Sequence, residues 1–362
     1  MHRRGEPVRA GVVGTRRAPW YGGAMPGEPI RAAVVGAGAW GTALATVIAT
    51  NDRDVLLWAR EPEVVADVNE RHENRTFLPG IRLPANVRAT ADIEEAVRGR
   101  AFVFSVCPAQ HTRRLIGLWA PHAADDVTIV SASKGIELET NRLMSEVFDE
   151  ALPARLRPRV SFLSGPSFAR EVGEGRPTAV VAAARDEALA ERVQRLVAHP
   201  TFRVYRSTDV VGVEVAGALK NVIAIATGVC DGMELGHNAR AALITRGLAE
   251  ITRLAVRLGA NPVTLMGLAG MGDLVLTCTA DLSRNRTVGI ALGRGRRLAE
   301  ILEGKPQVAE GITTARAAHA LARRLGVDTP LIDEVYALVH EERPLAGVVE
   351  RLMTRALKRE EL

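Results

Sequence analysis

The sequence predicts an α/β N-terminal domain on a mostly parallel sheet, followed by an all-α C-terminal domain. Three observations carry this. Between residues 30 and 183 the apolar runs are short and continuous rather than alternating, as in strands covered on both faces. Segments with helical character separate most of those runs. After about Ser207 the runs stop, and only helical apolar spacing follows. The 362 residues suit two domains of ordinary size. The reading divides them into a basic tail (1–28), a dinucleotide-binding domain (29–207) and a helical substrate domain (208–362).

The first expected strand is Ile30-Arg-Ala-Ala-Val-Val-Gly36, an apolar run closed by glycine. An Ala-rich helix follows over 40–50, a strand over 54–59, and a helix over 62–71 with Pro62 in its first turn. Further strands are expected at 101–107, 127–131, 160–163 and 178–183. Helical spacing then marks 211–226, 239–258, 286–292, 296–303, 313–325 and 331–341. Gly259, Pro262, Gly270, Gly272, Gly311, Gly326 and Pro330 punctuate these helices. No internal repeat is present.

Hydrophobic residues at 47% and charged residues at 25% exclude a disordered or fibrous chain. The longest apolar stretch, 210–230, carries Glu214 and Lys220 in its middle, which argues against a membrane span. Cys107, Cys230 and Cys278 form no C-x-x-C pair and suit a reducing cytoplasm; the histidines show no metal spacing, so no metal is expected. Residues 1–24 hold five arginines against Glu6, so about +4 of the formal +5 belongs to the tail. The remaining +1 is no footprint for nucleic acid. The tail lacks the apolar core of a secretory signal, and Met25 is a candidate start.

Gly36-Ala-Gly38-Ala-Trp-Gly41 is a G-x-G-x-x-G at a strand-to-helix junction. Gly36 permits the tight turn, Gly38 lets backbone approach a pyrophosphate, and Gly41 lets helix pack on strand. The amides that open the helix welcome the anion. The pattern predicts a Rossmann-type site for NADPH or NADH. Arg60, at the end of the second strand, favours the 2′-phosphate of NADPH; the alternative is that Arg60 is a solvated charge and Glu61 serves NAD.

Only four of the 47 basic residues are lysine: Lys134, Lys220, Lys305 and Lys358. Lys220 stands with Asn221 in an apolar helix, so it either snorkels to water or is buried and paired, with Asp273 as candidate partner. Lys134 follows a strand, at the sheet edge where open α/β folds bind ligands, or it is a solvated loop charge. The stretch 162–169 lacks the second glycine of a hydrolase elbow. Arg284, between Ser283 and Asn285, suits a phosphate clamp or a capped helix start. Glu310 is a surface acid or a partner for a cofactor hydroxyl.

Together, GAGAWGTALA, SASKGIE, LSGPSFA, GALKN, GMGDLVLTCTADLSRN and VAEGITTA resemble, in order, the motifs of bacterial NAD(P)-dependent glycerol-3-phosphate dehydrogenases. The resemblance runs from about Ile30 to the end. It implies interconversion of dihydroxyacetone phosphate and sn-glycerol 3-phosphate, a homodimer, and a role in supplying phospholipid synthesis. It also implies a catalytic group of Lys220, Asn221 and Asp273, with Lys220 as general acid/base. The implied substrate contacts are Lys134, Gly165, Ser167, Lys220, Asp273, Ser283, Arg284 and Asn285. Beyond the glycines, Ala39, Trp40, Arg60, Lys134, Ala169, Arg284, Val308 and Glu310 would meet the cofactor. Ala39 stands where the family often has serine. Lys220 is expected to keep an ordinary lysine pKa near 10.4, with Asp273 holding it charged. Rival readings are a two-domain dehydrogenase of the same architecture acting on a β-hydroxyacid or a sugar acid, and a non-catalytic NADPH-binding regulator.

Overall fold

The computed structural model describes residues 30–303, 309–357 and 359–360; the tail expected over 1–28 and Val308 lie outside the described residues. Eight strands form one sheet: β1 (Arg31–Val35), β2 (Asp54–Trp58), β3 (Val87–Thr90), β4 (Phe102–Ser105), β5 (Thr128–Ser131), β6 (Val160–Ser164), β7 (Thr178–Ala183) and β8 (Phe202–Ser207). Their order is β3-β2-β1-β4-β5-β6-β7-β8. All neighbours pair parallel except β6 and β7. The register sets Val34 beside Leu57 on one side and Phe104 on the other.

Both faces of the sheet are apolar because both are covered. Ala32, Val34 and Leu57 join one core with α1 (Ala39–Ala49) and α2 (Pro62–Arg71). Ala33, Val35 and Ile129 join the other core with α3 (Ile93–Val97), α4 (Thr112–Trp119) and α5 (Met144–Ala151). Two further helices, α6 (Ala169–Gly173) and α7 (Glu187–Val197), pack on the first face. The expected α/β class and continuous-run logic therefore hold. Two strands escaped it. β3 and β8 are the sheet edges, and β8 alternates, with Phe202 and Val204 buried and Arg203 and Tyr205 exposed. An edge of this kind has no continuous apolar run to detect.

Helices follow from Val210 onward: α8 (Val210–Gly232), α9 (Gly236–Arg257), α10 (Pro262–Leu265), α11 (Asp273–Thr279), α12 (Arg284–Gly293), α13 (Leu298–Leu302), α14 (Glu310–Leu325), α15 (Pro330–His340) and α16 (Val348–Met353). By length and composition, Val210–Gly232 and Pro262–Thr279 pass for membrane spans, but 83% of the apolar window in α8 is buried inside the protein. Core packing accounts for its composition. The segment around 262–279 read only as punctuation; it forms α10, a π-helical turn over Leu268–Gly272, and α11. Its glycines hide the period, and Gly270 is needed because a Cβ there would fall 2.0 Å from the Leu265 carbonyl oxygen. α12 crosses α8 at glycine contacts: a Cβ on Gly228 would lie 2.9 Å from the Gly289 Cα. That close crossing brings the start of α12 against the middle of α8.

Candidate active site

The strand order reverses between β1 and β4, and the crevice at the carboxyl ends of these strands is where open α/β sheets take ligands. The three glycines there do different things. Gly36 has φ +120°, and a Cβ on it would lie 2.3 Å from the Val106 carbonyl oxygen. A Cβ on Gly41 would lie 1.9 Å from the Gly36 carbonyl oxygen, so α1 can seat on β1 only with glycine. Gly38, the N-cap of α1, has nothing within 4 Å of its Cβ position. The first turn of α1 carries no acidic side chain, and no side chain caps it from Gly38. Space is thus open beside Gly38 at an electropositive helix end, which fits a pyrophosphate. Ala39 and Trp40 open the helix beside it, and Trp40 Nε1 is buried with no hydrogen-bond partner. Ala169 opens α6 and packs on the same core as α1.

Arg60 and Glu61 follow β2 and pair with each other, Nη2 to Oε1 at 2.8 Å, with the Arg60 side chain 82% exposed. The two residues weighed as alternatives for the ribose are one ion pair.

Helices α8 and α11 bring a lysine and a carboxylate together. The Lys220 ammonium donates to Asp273 Oδ1 at 2.5 Å and to Thr277 Oγ1 at 3.0 Å. Its side chain is 9% exposed, and that of Asp273 1%. Lys220 does not snorkel. Lys134, from the loop after β5, donates to the other Asp273 oxygen at 2.8 Å and to the Gly165 carbonyl at 3.1 Å. The solvated-loop reading of Lys134 therefore fails. Ser167 Oγ donates to that same Gly165 carbonyl at 2.9 Å. Gly165 holds φ +137°, and a Cβ there would lie 2.9 Å from the Val180 Cα.

The expectation of an ordinary lysine pKa is corrected. Burial pushes Lys220 down to about 8, with Asp273 acting upward and the Lys134 ammonium downward. Water withdrawn from the ammonium costs more than the carboxylate restores.

A second chain of contacts joins α8, α12 and α14. Asn285 donates from Nδ2 to Asn221 Oδ1 at 2.9 Å and accepts from the Gly311 amide at 2.9 Å. Glu310 opens α14 beside it, half-buried. Burial raises its pKa, while Arg284, Lys134 and Lys220 draw it down, so its carboxyl shares a field with three cations of the site. Ser283 caps α12, accepting from the Arg286 amide at 3.3 Å, and Arg284 is the exposed first residue of that helix. The capped-start reading holds there.

Two participants were missed. Thr277 lies one turn after Asp273 on α11, accepts from Lys220 and donates to the Asp273 carbonyl at 2.6 Å; the i, i+4 spacing was a readable signal. Gly217 packs against Ser164, its Cβ position 2.7 Å from Oγ, which lets α8 approach the end of β6. No local pattern announces that. Among the described residues, no group of three or more His, Cys, Asp or Glu is placed to hold a metal ion.

Two family models match the chain: the NAD-dependent glycerol-3-phosphate dehydrogenase N-terminus over residues 31–190 and the C-terminus over 209–350. The chain belongs to the NAD-dependent glycerol-3-phosphate dehydrogenase family. A glycerol-3-phosphate dehydrogenase [NAD(P)+] from Geobacter sulfurreducens is 54% identical over 325 residues, 90% of this chain and 97% of its own. The enzyme of the same description from Koribacter versatilis is 52% identical over 88% of this chain and 96% of its own. A crystal structure of glycerol-3-phosphate dehydrogenase from Coxiella burnetii superposes with a TM-score of 0.85 at 37% identity, over 90% of this chain and 99% of its own. As a member of the glycerol-3-phosphate dehydrogenase family the chain is an NAD(P)-dependent oxidoreductase, and the expected enzyme class, cofactor class and fold are borne out.

Proposed function

We infer that Lys220, oriented by Asp273 and Asn221, carries the acid–base step in the interconversion of dihydroxyacetone phosphate and sn-glycerol 3-phosphate. One observation supports this above the rest: a lysine ammonium, nearly dry, held on a carboxylate shared with a second ammonium in the crevice. The dinucleotide, when bound, supplies or accepts the hydride. In reduction Lys220 gives its proton to the oxygen that becomes the alcohol, and its charge stabilises that oxygen as negative charge develops. In oxidation the neutral amine takes the alcohol proton. Ser283, Arg284 and Asn285, at the N-terminus of α12, hold the phosphate, and that remote binding aligns the reacting carbon. Lys134, Gly165 and Ser167 border the substrate. Gly36, Gly38, Gly41, Ala39 and Trp40 receive the pyrophosphate side of the cofactor, with Arg60, Ala169, Arg284 and Glu310 as its further contacts.

NADPH is the preferred reductant in this reading, because the Arg60 guanidinium is exposed and need only leave Glu61 to reach a 2′-phosphate. Arg60→Glu is expected to raise the KM for NADPH about tenfold, a loss typical of a charge-assisted contact, and to leave that for NADH within about twofold. Steady-state titration of both nucleotides checks it; equal changes would refute Arg60. The founding test is NADPH oxidation on adding dihydroxyacetone phosphate, against a panel of keto acids. Turnover with the keto acids alone would replace this reading by the hydroxyacid one. The chain acts as a cytoplasmic homodimer supplying glycerol 3-phosphate for phospholipids. Exposed Leu235, Val256, Val263 and Met266 around α9 and α10 support a subunit contact, and light scattering at the mass of one chain would refute it.

A further inference from the structure

We propose that Arg286 is a positioning residue that sets the phosphate-binding turn, working through Asp281 on that turn and Asp231 on α8. The proposal rests on the reading of Ser283, Arg284 and Asn285 as phosphate contacts. Arg286 is itself buried, at 9% exposure, and its guanidinium is committed elsewhere than to a ligand. Nε and Nη2 lie 2.9 and 2.8 Å from Asp231 Oδ2, and Nη1 donates to Asp281 Oδ1 at 2.9 Å. Asp231 stands in the last turn of α8, and its other oxygen accepts from Arg240 of α9 at 3.0 Å. The fork thus spans three elements and has both carboxylates as its partners.

The backbone of Arg286 completes the grip. Its amide donates to the Ser283 hydroxyl at 3.3 Å, a bond that uses an oxygen lone pair and leaves the O–H as a donor. Its carbonyl oxygen lies where a Cβ on Gly228 would be at 2.2 Å, so this residue sits directly on α8. One residue therefore holds the segment 281–283 at both ends, Asp281 from the guanidinium and Ser283 from the amide. The Asp281 side chain is fully exposed apart from this pair, so the pair adds little to stability. Its consequence is geometric: Arg284 and Asn285, between the held Ser283 and Arg286 itself, are aimed from a fixed turn. A planar fork can hold two carboxylates at once in a way that an ammonium on a flexible stem does not.

The test compares Asp281→Ala, Arg286→Lys, Arg286→Met and, as reference, Arg284→Ala in the full chain. Displacing a binding group by about 1 Å costs up to about 10²-fold. Asp281→Ala is expected to raise the KM for dihydroxyacetone phosphate about fivefold and Arg286→Met about 30-fold, with Arg286→Lys between them. The kcat should change less than the KM, and the NADPH dissociation constant, read by nucleotide fluorescence, should rise by no more than about threefold, because Arg284 is one of several cofactor contacts. If Arg286→Met does not fold, Asp281→Ala and Arg286→Lys decide, since the first alters only an exposed side chain. An unchanged substrate KM in both, even with a lowered thermal midpoint, makes Arg286 a structural brace and overturns the proposal. Arg284→Ala separates the two levels. If it leaves KM unchanged, the phosphate reading itself is wrong. If it raises KM while the Asp281 and Arg286 variants do not, only the present inference fails.

Discussion

Lys220→Ala is expected to lower kcat for dihydroxyacetone phosphate reduction by about 10³- to 10⁴-fold, the range for losing a general acid that also stabilises a developing alkoxide. The fold should survive, because Asp273 keeps Lys134 at 2.8 Å and the hydroxyl of Thr277 remains on α11. NADPH binding should change little, since the glycine loop belongs to β1 and α1 and Lys220 to α8. Stopped-flow hydride transfer with a parallel fluorescence titration separates the two. A variant retaining a tenth of wild-type kcat would remove Lys220 from the chemistry. The same group sets the pH dependence. Burial lowers Lys220 to about 8, so the ammonium needed for reduction disappears as pH rises through that value, while the amine needed for oxidation appears. Reductive kcat should therefore fall, and oxidative kcat rise, between pH 7 and 9. Profiles flat over that interval in both directions would contradict the assignment.

Asp273→Asn should affect both stability and turnover without changing the shape of the side chain. The carboxylate is 1% exposed and is the counter-ion of Lys134 and Lys220 together. A neutral amide leaves two ammonium groups facing each other in a dry site, and removing one partner of a buried pair costs about 3–5 kcal/mol. Part of that strain is relieved when Lys220 gives up its proton, because Asp273 is the influence holding its pKa upward. The relief removes the acid, so kcat for reduction at neutral pH should drop about 10²-fold or more. Calorimetry and steady-state kinetics check the two effects. A thermal midpoint unchanged within a degree together with kcat within threefold would show that Asp273 does not serve as the shared counter-ion.

Much of the site was legible because its residues depart from their surroundings. A lysine in an apolar helix, in a chain that otherwise writes arginine, drew attention to Lys220 before any partner was visible. The glycine loop announced its own geometry: Gly36 makes the tight turn, Gly41 lets α1 seat on β1, and the Cβ position of Gly38 is open. Lys134 was not legible in the same way. Its partner lies 139 residues further along, and a loop lysine looks solvated until the loop is folded against α11. Arg286 looked like one more helix residue, since its two carboxylates come from another helix and from an exposed turn. β3 and β8 were passed over because an edge strand needs only one apolar face.

What the sequence determined by itself was the class of the fold, the glycine turn after the first strand, and the set of unusual polar residues from which a site had to be made. These follow from local periodicity and from the cost of placing charge among apolar neighbours. Only the tertiary structure decided that one carboxylate serves two lysines, that Arg60 and Glu61 answer each other, and that Lys220 titrates near 8 rather than near its free value. Desolvation and charge pairing depend on what the whole chain excludes from a site and brings within about 3 Å of it, and spacing along one segment does not carry that information.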